Sequence, residues 1–162
     1  MIVVSDSSPL VALAGIGRLE LLRALYGTVV VPDAVWHEVV EKAPDQNRAN
    51  ALRTADWLER RIPTDQPLVL ALQESLGRGE AEAVALAVEV KSDLLLMDER
   101  IGRRLARQLG VRVIGVLGML VEAKQRSLVP AIKPMIDQLR DAVGFRLGAA
   151  LVERVLADEG ET

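Results

Sequence analysis

Ile2-Val3-Val4-Ser5-Asp6 and Leu94-Leu95-Leu96-Met97-Asp98 are the two stretches on which the reading of this chain turns. Each is a short apolar run closed by a single aspartate. Runs of this length and composition, each followed by a helical pattern, are those of strands buried in a parallel sheet. The carboxyl ends of such strands share one edge, and ligands bind at that edge. Two acids from opposite halves of the chain are thereby predicted at one site. Paired acids point first to a metal ion.

Outward from the first run, Ser8-Pro9 predicts a helix start, with serine as N-cap and proline at the first helical position. Gly15-Ile16-Gly17 breaks that helix, and residues 18 to 26 form another, ended by Gly27. Val29-Val30-Val31 reads as a second strand. Pro32 opens the helix carrying Trp36, His37 and Glu38, with His37 at the surface. A polar loop over residues 43 to 50 precedes a helix to about Leu58, and Arg60-Arg61-Ile62-Pro63 reads as a short edge strand or coil. Helices follow over 67–76 and 80–91, divided by Gly77-Arg78-Gly79. A helix after Asp98 ends at Gly110, Arg112-Val113-Ile114-Gly115 is the last strand, and a helix reaches about Arg126. This alternation predicts a three-layer α/β/α sandwich around a central, mostly parallel sheet. From Pro130 onward the pattern is helical only, broken around Gly144. The expected organisation is a domain over residues 1–129 with a C-terminal helical extension over 130–162 packed on it.

At 162 residues the chain is long enough for one domain with a full core. Half the residues are apolar, yet the aromatics are only Tyr26, Trp36, Trp57 and Phe145, so Leu, Val, Ile and Ala must build the interior. The absence of cysteine excludes disulfides, thiolate metal sites and thiol catalysis. A single histidine excludes a His-rich zinc centre. Any metal would be held mainly by oxygen, which favours Mg²⁺ or Mn²⁺. No apolar run reaches the roughly 18 residues of a membrane span, and the N-terminus lacks a basic n-region. A cytoplasmic protein with no membrane contact is expected. The net charge of −3 argues against a general nucleic-acid coat protein while leaving room for a local basic groove.

Helix phase adds two acids. Glu80 shares a face with Ala83, Val84 and Ala87, at the head of an apolar stripe, whereas Glu82 and Glu89 point the opposite way, towards water. Glu38 lies at the boundary of the apolar face formed by Val35, Trp36, Val39 and Val40. Four carboxylates on one edge repel: at about 6 Å and an effective dielectric near 20, each pair costs roughly 3 kcal/mol. Such a cluster persists when its acids protonate or a cation neutralises them. A divalent ion would make it a tool for phosphoryl hydrolysis. Plainer readings stand beside this one. Asp98 would serve as N-cap of its helix, and Glu38 and Glu80 would be ordinary surface acids. Asp6 is harder to dismiss, because Ser8 already supplies a cap.

Arg100, Arg103, Arg104 and Arg107 fall within one arc of the next helix, with Ile101, Leu105 and Leu109 facing away. The arc is either a rail for a phosphate backbone or a solvated face. With so few aromatics, base stacking contributes little. Rival motifs fail: the G-x-G pairs lack a third glycine, no G-x-x-x-x-G-K-[ST] is present, and Ser8 stands where a haloacid-dehalogenase-type phosphatase needs aspartate.

The stretch V-V-S-D-S-S-P-L-V-A-L-A from Val3 to Ala14 resembles the opening of PIN domains, metal-dependent ribonucleases that include the VapC toxins. V-P-x-x-V-W-x-E ending at Glu38, G-x-G-E-A-E-A from Gly77 to Ala83 and L-L-M-D-E-R from Leu95 to Arg100 resemble, more closely, a bacterial and archaeal PIN-like family of predicted nucleic-acid-binding proteins. Gly115-Val116-Leu117-Gly118 and Gly144-Phe145-Arg146 fit it too. The resemblance implies a PIN-like fold and an acidic site for Mg²⁺ or Mn²⁺ in which Asp6, Glu38, Glu80 and Asp98 are catalytic and metal-binding. Ser7 takes the small hydroxyl position after the first aspartate, and Arg100, Arg103 and Arg104 would guide substrate. The implied function is a metal-dependent endoribonuclease acting on RNA as the toxin of a toxin–antitoxin pair, with an antitoxin protein as partner and a homodimer as assembly. Two departures matter: Glu80 is a glutamate where many VapC proteins have aspartate, and the helical tail after Pro130 exceeds a minimal PIN domain. They keep open a PIN-like binding module with little or no catalysis, and an interaction protein whose C-terminal helices do the work.

Overall fold

Val3–Ser5 (β1), Val29–Pro32 (β2), Leu58–Arg61 (β3), Leu94–Leu96 (β4) and Val113–Ile114 (β5) pair as one five-stranded sheet in the order β3-β2-β1-β4-β5, every pair parallel. The computed structural model describes residues 1–161. Of the two readings of the Arg60 segment the edge strand is the one found, shifted to Leu58–Arg61 and pairing in register with β2 from Val29↔Leu58 to Pro32↔Arg61; the helix before it ends at Thr54, short of the expected Leu58.

Side chains alternate across the strands and divide the interior in two. Val3, Val29, Val31, Leu94 and Leu96 belong to one buried cluster; Val4, Val30, Leu95, Met97 and Val113 belong to the other. That is the period of two expected of a sheet covered on both faces. Helices α1 (Ser7–Gly15), α2 (Glu20–Tyr26) and α8 (Val116–Gln125) supply the first cluster. The second is built from α5 (Gln66–Leu72), α6 (Arg78–Glu89) and α7 (Arg100–Gln108). Two further helices, α3 (Asp33–Trp36) and α4 (Gln46–Thr54), follow β2, and α3 runs directly into a π-helical turn, His37–Glu41. The result is the three-layer α/β/α sandwich the strand–helix alternation predicts.

Beyond residue 130, α9 (Lys133–Gln138) continues into a second π turn (Leu139–Val143), which ends at Gly144 with φ 72°. The last helix, α10 (Ala149–Asp158), follows. Met135, Ile136, Leu139 and Leu156 join the first core cluster, so this tail shares the interior of the domain. A carboxylate fastens its end: Glu161 accepts from the Ile132 and Lys133 amides, each at 3.0 Å, and from Lys124 Nζ at 2.8 Å. Burial raises its pKa, but those hydrogen bonds and the lysine outweigh it and hold the carboxyl down at about 2. Among the described residues no helix is long and apolar enough to cross a membrane.

Candidate active site

The strand order places the site. From β1 the chain moves outward on one side to β2 and β3, then returns to β4 on the other side. The switch point of the sheet therefore lies between β1 and β4, where open α/β sheets bind ligands beyond their carboxyl ends. Ser5 is in register with Leu96, and the Asp6 amide still donates to the Leu96 carbonyl at 2.9 Å. Both strand-ending aspartates thus leave the sheet at its switch point.

Asp6 is 3% exposed and keeps an extended backbone, φ −78° and ψ 177°. It occupies the N-cap position of α1, one residue before the helix begins at Ser7; Ser8 lies inside the first turn and is not the cap. The bond to β4 holds Asp6 in strand geometry, so Ser7 is the first residue free to turn. Pro9 is accommodated in the first turn, where its missing N–H has no intrahelical role. The Asp6 carboxylate makes no capping bond to α1. Burial drives its pKa up to about 7; the Ser7 amide works against that, while the fields of Glu80, Glu38 and Asp98 add to it. All three remaining acids of the predicted quartet therefore act on Asp6.

Each of those three is held by a neighbour of its own. Glu80, at the third position of α6, turns back to accept the Gly77 amide at 2.9 Å, a capping interaction. Glu38 projects from the π turn after α3 and accepts from Ser7 Oγ at 2.7 Å. π turns inside helices are frequent at functional sites. Glu38 also lies against the backbone of α6 at Gly79, where a Cβ would come within 2.5 Å of its Oε1. Asp98 accepts the Val116 amide at the start of α8, at 3.1 and 3.2 Å. It is not the cap of α7, a role taken by Glu99, which accepts from the Ile101 and Gly102 amides. Gly115 makes the Asp98 arrangement possible, since a Cβ there would sit 2.4 Å from Asp98 Oδ1 and 2.8 Å from Arg103 Nη1. Burial raises the Asp98 pKa, with the Val116 amide and Arg103 pulling it back. Among the described residues no three carboxylate or imidazole groups converge as a ready-made metal cage.

The arginine arc divides. Arg100, Arg104 and Arg107 are exposed, whereas Arg103 turns inward and donates to the Met97 carbonyl at 3.1 Å. Its guanidinium loses charge preference mainly through burial, and Asp98 offsets part of that loss. Nor is the apolar side of α7 the predicted stripe: Gly102 and Ala106 are buried, Leu105 is half-buried, and Ile101 and Leu109 are exposed. Small residues let α7 approach the second core closely, which rotates its contact face. Asp98, Arg100, Arg103, Arg107 and Arg146 line a groove of about 600 Å³ whose apolar wall comes from α8 and α10. Arg146 was not among the predicted site residues, because it lies in an irregular segment with no periodicity to expose it.

Helix phase also misplaces Glu82. It is 2% exposed, accepting the Ala34 amide at 2.9 Å and facing Arg78 Nε at 3.4 Å. Glu89, by contrast, is partly exposed, with its carboxylate accepting from the Thr64 hydroxyl and the Thr64 and Asp65 amides. Every residue of α6 from Ala81 to Ala87 is buried, so phase along it cannot separate an inner from an outer acid. His37 is at the surface, as read, beside Glu41 at 2.5 Å.

Residues 2–161 match the family model described as DUF3368: PIN domain. In fold, the chain is similar to a solved PilT N-terminus domain protein from the hyperthermophilic archaeon Sulfolobus solfataricus P2. The two share 21% identity with a TM-score of 0.57, over 76% of this chain and 93% of that one. Likeness at that identity concerns the fold alone. No curated protein matches the sequence significantly.

Proposed function

The chain belongs to the PIN-domain family DUF3368, and from that premise we propose that it is a metal-dependent endoribonuclease that hydrolyses RNA phosphodiester bonds in the cytoplasm. Its cellular setting in this reading is the toxin half of a toxin–antitoxin pair, acting as a homodimer and restrained by an antitoxin protein. Residues 130–162 are read as an extension of a PIN domain spanning 1–129.

The observation that carries the reading is Asp6: buried at the switch point, making no capping bond to α1, its pKa pushed up to about 7 by burial and by the charges of Glu80, Glu38 and Asp98 against the Ser7 amide. A buried carboxylate raised in this way by burial and by neighbouring charges is relieved by a cation. The donor set is all oxygen, which suits Mg²⁺ or Mn²⁺. Asp6 and Asp98 would be the principal ligands, with Glu38 and Glu80 completing the set directly or through water. An ion held there would make water more acidic and offset charge developing on the phosphoryl group.

The chain's own side chains do the rest. Ser7 Oγ fixes the direction of Glu38. The Val116 amide holds Asp98 in place, and the charge of Arg103 favours its ionised form. Arg100, which lines the groove with Asp98, and Arg104, exposed on the same helix, would take phosphate oxygens of the RNA strand. Calorimetric titration with Mn²⁺ and cleavage of an unstructured RNA test the reading: the wild type should do both, and Asp6→Asn neither. Undiminished cleavage by Asp6→Asn would sink it.

A second reading draws on the local bonds that occupy Glu38, Glu80 and Asp98. It makes the protein a PIN-like binding module, retaining RNA equally with Mn²⁺ or with EDTA and leaving it uncut.

A further inference from the structure

We propose that Glu82 is a positioning residue for Glu38, fixing through the Ala34 amide where the π turn presents that carboxylate. The inference rests on reading Glu38 as part of the metal site.

A carboxylate at 2% exposure is costly unless its oxygens are satisfied. Glu82 directs Oε1 to the Ala34 amide at 2.9 Å and Oε2 to Arg78 Nε at 3.4 Å. Ala34 is in the first turn of α3, where amides have no partner within the helix. Because α3 is only four residues long before it widens into the π turn, it has few bonds of its own to fix its position. The anchor from α6 substitutes for them.

Gly79 is the second point of grip. The Glu38 carboxylate lies against the α6 backbone there, so closely that no Cβ fits without displacing it. Helix α6 therefore holds the α3 segment through Glu82 at its start and faces Glu38 at Gly79, three residues earlier on the same helix. Slack at Ala34 is transmitted to Glu38 and to its hydrogen bond with Ser7. Glu82 itself is sealed from solvent and from substrate, so its role is exerted through Glu38.

Crystal structures of the metal-free Glu82→Gln and Glu82→Ala proteins, with Mn²⁺ titrations of both and of Glu38→Gln alone and combined with Glu82→Ala, test the proposal. Glutamine keeps an acceptor for the Ala34 amide, so the Ser7–Glu38 bond and the Mn²⁺ affinity should survive; loss of its charge matters little to the exposed Arg78. Alanine should release Glu38 from Ser7 and weaken Mn²⁺ binding by about tenfold, the usual range for a residue that orients a ligand. In the Glu38→Gln background the alanine change should cost nothing further. An unmoved Glu38 in Glu82→Ala, or an equal loss of affinity in both backgrounds, overturns the proposal. If the wild type binds no Mn²⁺, the metal reading fails while the crystallographic result still decides the positioning role. If the alanine protein does not fold, Glu82→Met, which keeps the volume but removes the acceptor, goes through the same measurements.

Discussion

Asp6 and Asp98 are equivalent in sequence and opposite in circumstance. Both end a buried strand, and both leave the sheet at its switch point. Asp98 is met by an amide from α8 and by the guanidinium of Arg103, which answer part of its burial. Asp6 is more deeply buried, has the Ser7 amide as its one relief, and feels in addition the fields of Glu80, Glu38 and Asp98. The comparison separates two jobs that a motif would lump together. Asp98 is a carboxylate already fixed in orientation, while Asp6 carries the unmet electrostatic demand.

The change with the largest expected effect removes that demand. Asp6→Asn should abolish Mn²⁺ binding and yet make the metal-free protein more stable at pH 8. The sign follows from linkage: a carboxyl whose pKa rises from 3.8 to about 7 on folding keeps its proton longer in the folded state, so stability falls as pH climbs through that interval. The full difference is roughly 4 kcal/mol as an upper figure. Denaturant melts in EDTA should show the variant's advantage at pH 8 shrinking to nothing near pH 4. An advantage that persists at pH 4 would place its origin elsewhere.

Gly115→Ala tests the other aspartate. A methyl group there collides with both Asp98 and Arg103, and a forced shift of this kind in a packed site costs about 1–3 kcal/mol. Thermal melts should register that loss, together with weaker Mn²⁺ binding. Gly79→Ala should separate the two quantities. Its obstacle is the carboxylate at the far end of the Glu38 side chain, which can shift where backbone cannot, and alanine gains roughly 0.5–1 kcal/mol over glycine in a helix. Stability should stay near wild type while Mn²⁺ affinity falls by about tenfold. A wild-type affinity would remove Glu38 from the site.

The smallest effect concerns the arginines. Arg104→Ala should reduce the salt dependence of RNA binding by about 0.7 in the log–log slope, the value for one phosphate contact on a single strand. Arg103→Ala should leave that slope alone and act on Asp98. Equal slopes for both variants would return Arg103 to the substrate rail.

Much of this architecture could be read from the chain, for a physical reason. Buried parallel strands are apolar throughout, so the runs before Asp6 and Asp98 stand out, and the edge they share follows from the parallel geometry. The errors arise where several residues are chemically fit for one role. Ser8 and Asp6 can both cap α1, as Glu99 and Asp98 can α7, and only the pairing of each strand exit decides between them. Phase failed for Glu82 because α6 is packed on nearly every side. It failed for α7 because glycine and alanine, which carry little hydropathic signal, form its buried face. The inward turn of Arg103 depends on Met97 and Asp98, contacts that periodicity does not encode.

The central place of β1 also bears on how the molecule comes into being. Its second neighbour, β4, is not synthesised until Leu94–Leu96, and contacts so distant along the chain close slowly. A nascent chain emerging from the ribosome possesses Asp6 long before it possesses Asp98. Assembly of the acidic edge is thereby deferred until most of the polypeptide has been made, and the growing chain holds its buried first aspartate without the partner that completes the switch point.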